Sequence, residues 1–163
     1  MDHDSSEWKR LSNAARYLVA ADEDLLVVER LREHGVPAPH DICMLSARAS
    51  EKYIKSKSLL LGREPRKSHD QSRLLDTLGD FKGVRRAKDL AAVLSPYSTE
   101  ANYPSDTMDA IDRDAADAAH SMLMEMMSMI QPHSWAIPGE SVLDPPMSRT
   151  PADDPVYGRT GGR

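Results

Sequence analysis

The sequence predicts an all-α protein, an antiparallel up-down bundle of four to five helices over residues 1–130 followed by a disordered tail at 131–163. Three observations predict it. Apolar residues recur at three-and-four spacing in five segments, the period of a helix that buries one face. The links between segments are short and marked by Gly or Pro, which favours antiparallel neighbours. Strand-like alternation, hairpin turns and internal repeats are absent. The composition agrees, being rich in Ala, Leu, Glu, Lys and Met with 5% aromatic residues. At 163 residues the chain is long enough for one core and too short for two.

The first helix is expected over residues 7–33, with the stripe Trp8, Leu11, Ala15, Leu18, Ala21, Leu25 and Val28, and with Gly35 and Pro37 as stops. The second runs from His40-Asp41 to Gly62. Ile42, Leu45, Ala49, Tyr53, Ser56 and Leu60 share one face, while Glu51 and Lys55 stand four apart in the order that favours a surface pair. After a basic loop, Ser68 is the expected N-cap of a third helix, with Gln71 three residues on as in a capping box, ending by Gly79. A fourth helix over residues 85–94 carries Ala87, Leu90, Ala91 and Leu94 and stops before Pro96. The fifth, over residues 105–130, aligns Met108, Ile111, Ala115, Ala118, Met122, Met126 and Met129.

Methionines 122, 124, 126, 127 and 129 cover more than one face of this last helix. Beyond its share of the core, the excess suits an adaptable helix–helix interface, most simply a homodimer. Residues 131–163 hold six of the eleven prolines and four of the eight glycines, the composition of a flexible tail. Within it Trp135, Ile137, Val142 and Leu143 form a short segment able to dock on the bundle or on a partner.

Several function classes are disfavoured. A net charge of −5 argues against nonspecific duplex binding by the whole surface and leaves room for local basic patches. The single cysteine, Cys43, excludes an internal disulfide and fits a reducing, cytoplasmic setting. The polar start MDHDSSEWKR does not read as a secretory signal, and no apolar run approaches a membrane span. The six histidines are scattered without paired-ligand spacing, so no metal or cofactor is expected. Glycine-rich phosphate loops and G-x-S-x-G are missing, and Cys43, beside an apolar helix face, reads as a small buried residue.

Four stretches carry a family resemblance. Residues 47–55 (ARASEKYIK) match an A-x-x-(E)-K-x-x-K helix, followed by a short loop and a helix opening at Ser68-His69-Asp70 with Leu74 and Leu75 behind it. Upstream lies Ala20-Ala21-Asp22-Glu23-Asp24-Leu25-Leu26, and downstream Tyr97 to Pro104 (YSTEANYP) precedes the last helix. In order and spacing these resemble HEPN domains, over residues 8–130. The resemblance implies a helical module tied to nucleotides, to nucleotidyltransferases and to RNA cleavage. Asn102 stands where many relatives have arginine, and Ser121-Met122 follows His120 where nuclease relatives carry a tyrosine. That tyrosine serves the toxin–antitoxin relatives whose partner enzyme adenylylates it.

Two sites follow. Nuclease members of the family use an arginine and a histidine with four to six residues between them on the last helix, a description that Arg113 and His120 fit at its longest spacing. Seven positions apart, they share one helix face. Across a dimer interface the histidine would act as acid or base and the arginine would stabilise phosphate charge. RNA supplies its own 2′-hydroxyl, so such a toxin or defence-type endoribonuclease needs no metal. The other candidate is a ligand-binding group of Lys52, Lys55, Arg63, Arg66, Lys67 and His69, suited to a nucleotide phosphate or an RNA backbone. The expectation is a dimeric binding module for nucleotide or RNA, acting with a separate nucleotidyltransferase, with the endoribonuclease as the alternative.

Overall fold

The structure is a computed structural model that describes residues 3–100 and 111–139. The five helices described are α1 (His3–Glu33), α2 (Pro39–Leu60), α3 (Gln71–Asp76), α4 (Val84–Glu100) and α5 (Arg113–Ile130), with no strand among the described residues. Cross-helix bonds give the directions. Pairs of α1 with α2 run Asp24–Lys52, Asp22–Tyr53, Ala14–Ser56 and Arg10–Leu59, one number falling as the other rises. The first two helices are therefore antiparallel. Glu29 and Arg32 meet His120 while Asp22 meets His133, so α5 also opposes α1. Arg86 of α4 pairs with Glu125 near the far end of α5, which makes α4 and α5 antiparallel in turn. The result is an up-down bundle with the short α3 bridging its second and third long helices.

The middle of the bundle is α2. Cys43, Ala47, Ala49, Ser50, Tyr53, Ile54, Ser56, Lys57 and Ser58 are all fully buried, spread around most of the helix. Small side chains let three neighbours close on it at once. One apolar cluster gathers Tyr53, Ile54, Leu74, Leu75, Phe81, Leu90, Leu123, Met126 and Ile130. A second gathers Val28, Ile42, Cys43, Ala47, Leu94, Ile111 and Ala119 toward the other end of α2. Of the methionines, Met126 is buried, Met122, Met127 and Met129 flank the first cluster, and Met124 is exposed.

Helix α1 opens at His3 and α2 ends at Leu60, each a few residues from expectation, and three further ends differ for a physical reason. The cap of α3 is Asp70, whose carboxylate accepts from the N–H groups of Ser72 and Arg73; Ser68 only accepts from the Asp70 N–H. Gln71 is no capping-box partner but a buried strut, accepting from Ser50 Oγ at 2.6 Å and donating to the Ala47 carbonyl at 2.9 Å. Helix α4 continues through Pro96 to Glu100. Proline lacks the N–H that would close that turn, and an interior proline costs a helix ~3 kcal/mol, here offset by the packing of Leu90, Ala91 and Leu94. Finally, α5 opens at Arg113, because Asp112 is extended and its carboxylate caps the Ala115 N–H at 2.9 Å.

The remainder of the expected fifth helix, residues 105–110 with Met108, lies outside the described residues, as do Asn102, residues 101–104, and Val142 and Leu143 of the tail. Between α1 and α2, Gly35 at φ 60° makes the left-handed turn, with Val36 N–H bonded to Leu31 carbonyl and Gly35 N–H to Arg32 carbonyl. This turn forms one wall of a cleft described below. No helix among the described residues is long and apolar enough to cross a membrane.

Candidate functional site

Positions 48, 51, 52 and 55 fall three and four apart, so Arg48, Glu51, Lys52 and Lys55 line one strip of α2. The α3 entry is drawn onto that strip by Gln71, whose side chain bonds to α2 and whose backbone N–H donates to Ser95 Oγ of α4 at 3.0 Å. His69 is thereby set beside Glu51, its Nδ1 3.2 Å from the carboxylate. A cavity of about 260 Å³ opens here, lined by Arg48, Glu51, Lys52, His69 and Ser98.

Charge within this cavity is partly spent. Glu51 is 8% exposed and shared between Lys55 Nζ at 2.5 Å and His69, so the expected Glu51–Lys55 pair forms below the surface. Lys52 Nζ lies 2.5 Å from Asp24. Arg48 is exposed and makes no ion pair among the described residues, which leaves its guanidinium available at the rim. The remaining basic candidates are placed apart. Arg63 donates to the Thr77 carbonyl at 3.1 Å, Arg66 faces Asp76 at 3.9 Å, and Lys67 is exposed on the loop.

The other candidate pair is separated by its neighbours. Arg113 is 94% exposed and its Nε is 4.0 Å from Asp117. His120 is 9% exposed and turned inward against α1. Arg32 Nη1 lies 2.8 Å from His120 Nδ1, and a guanidinium can only donate, so Nδ1 accepts. Nε2 therefore carries the ring proton and donates to Glu29 Oε1 at 2.8 Å. Arg32 also reaches Asp117 Oδ1 at 3.3 Å, so a chain of charge runs from Arg113 through Asp117 and Arg32 to His120 and Glu29. A cleft of about 390 Å³ lies at this end of the bundle, lined by Arg32, Arg113 and Asp117 together with Leu31, Val36, Pro37, Pro39 and Ile42.

A family model, HEPN domain, matches residues 14–131. The chain belongs to the HEPN family. No curated protein and no solved structure matches it. The residues of both candidate sites all fall within the matched span, so each site belongs to the HEPN domain proper.

Three groups in this HEPN domain were not singled out from sequence. Arg48 sits inside the recognised stretch, one turn before Lys52, and the helical strip alone would have added it. Glu29 and Arg32 meet His120 across nearly ninety residues of chain, which no local pattern reports. Lys57 is fully buried and donates to the carbonyls of Gln131, Ser134 and Ala136, at 3.1 and 2.6 Å for the first two. It ties residues 131–136 to α2, while Trp135 and Ile137 stay largely exposed. Burial lowers the Lys57 ammonium below the ordinary lysine range and pushes the Cys43 thiol up to about 11, with Asp112 adding to the latter. Cys43 is thus a buried, protonated core residue.

Proposed function

We propose that the chain is a noncatalytic HEPN module that binds a nucleotide or RNA by its phosphate at the cavity of Arg48, Lys52 and His69. The observation that carries this reading is the exposed Arg48 guanidinium, without an ion pair among the described residues, beside two further basic groups on a concave surface. Lys55 takes part by holding Glu51, while Arg63, Arg66 and Lys67 lie apart on the loop. The module works as a homodimer and beside a separate nucleotidyltransferase. Exposed apolar residues Trp8, Val19 and Leu26 on α1, and Met124 on α5, support a helix-covering partner.

A metal-independent endoribonuclease of toxin or defence type, using Arg113 and His120 across a dimer interface, is the second reading. Glu29 favours it, since a carboxylate on Nε2 orients an imidazole as catalytic sites require. Against it, the lone pair of Nδ1 is taken by Arg32 and Arg113 faces solvent. Fluorescence anisotropy with a labelled single-stranded RNA tests the binding reading. Arg48→Glu is expected to weaken binding by roughly tenfold, about 1.4 kcal/mol, and Lys9→Glu, the same charge change far along α1, to leave it within twofold. Equal loss in both variants would reduce the effect to net charge and overturn the site.

A further inference from the structure

We propose that copies of this chain associate head to tail, with Trp135 and Ile137 of one copy seated in the cleft between the α1–α2 turn and the start of α5 of the next. The contact is separate from the Arg48 cavity and does not rest on that reading. Its donor half is the segment that follows α5. Burial alternates along it: Pro132 and Pro138 are buried and Ser134 and Ala136 half-buried, while His133, Trp135 and Ile137 face out. Trp135 is 69% exposed and Ile137 49%. Their backbone is nevertheless held fast. Lys57 donates to three of its carbonyls from beneath, and His133 Nε2 donates to Asp22 at 2.9 Å. Gly139 passes so close to Lys82 that a Cβ there would lie 2.8 Å from the Lys82 nitrogen. An aromatic anchor on a fixed frame loses little further freedom on binding, as a contact hot spot requires.

The acceptor half is the cleft itself. Val36, Pro37 and Pro39 present side chains without donors or acceptors, and about 390 Å³ admits one large side chain. Arg32 and Arg113 stand at the rim with Asp117 between them, at 3.3 and 4.0 Å. Two guanidinium groups against one carboxylate leave a net positive charge, and the face of an indole takes a cation better than any other side chain. The two halves lie at opposite ends of the bundle. The cleft is at the start of α5, the Trp135 segment follows its end, and 18 residues of helix set them about 27 Å apart. Trp135 therefore does not meet the cleft of its own copy. A contact between unlike surfaces is heterologous, and it propagates into rings or open chains where a two-fold contact stops at a dimer.

The test is sedimentation velocity of the full chain, from micromolar to millimolar protein, beside Trp135→Ser and Val36→Glu. Both substituted side chains are exposed. The parent is expected to grow beyond a dimer as its concentration rises. Each variant should stop at a dimer or below, with this association weakened by roughly tenfold or more. Mixing the variants then separates a head-to-tail contact from a two-fold one. Trp135→Ser keeps its cleft and Val36→Glu keeps its tryptophan, so an equimolar mixture should be heavier than either variant alone. Misfolded protein does not show such a recovery. A parent that never outgrows its variants, growth that persists in Trp135→Ser, or a mixture no heavier than its parts would overturn the proposal.

Discussion

Lys57 gives its three donors to three carbonyls of the turn that follows α5, and the bundle closes over it. Burying an ammonium is costly, and three acceptors offset that cost by matching every N–H it has. Lys57→Met keeps the stem and removes all three bonds. Relief of the buried charge offsets part of the loss, so a net destabilisation of ~1–3 kcal/mol is expected in urea unfolding. An unchanged midpoint would contradict the clamp. Neither the inward position of Lys57 nor its partners was read from sequence: the apolar face of α2 was set by Ile42, Leu45, Ala49, Tyr53, Ser56 and Leu60, and composition alone made residues after 130 look unattached. His120 teaches the same lesson. Its place on a face with Arg113 was readable from spacing, but which arginine it meets depends on where α1 ends against α5.

Element by element, periodicity located the helices and local chemistry set their ends. Residues 68–71 show why. Ser68 and Asp70 are both good caps, and Gln71 completes a capping box only if Ser68 is chosen. Tertiary packing decides, because Gln71 is drawn into the gap between α2 and α4 and the helix then starts one residue after Asp70. Asp70→Ala is expected to cost ~1 kcal/mol in thermal unfolding and Ser68→Ala only a few tenths. The reverse order would restore Ser68 as the cap. Because the same entry sets His69 against Glu51, Asp70→Ala should also weaken RNA binding, whereas Ser68→Ala should not. The run of α4 through Pro96 was not legible for the same reason: proline signals a local cost, and the burial that offsets it is long-range.

At the scale of the molecule, four long helices alternate in direction around α2, and the two candidate sites lie at different places along it. The Arg48 cavity draws on α2, the α3 entry and α4; the Arg32 cleft draws on α1, the following turn and α5. The all-helical bundle was legible because each helix carries its own apolar stripe. The sites were legible only where one helix supplies several members, as with Arg48, Glu51, Lys52 and Lys55. Where two helices distant in sequence each supply one, as with Glu29 and His120, packing had to be seen first. Glu29 and Arg32 hold both nitrogens of His120, which supports the proposal that the molecule binds RNA and leaves it whole. The most direct measurement is a labelled RNA incubated with stoichiometric protein in EDTA and run in parallel on native and denaturing gels. The account predicts a retarded band on the first and intact RNA on the second. Fragments that disappear with His120→Ala would contradict it and establish cleavage, and an unretarded, intact RNA would contradict binding itself.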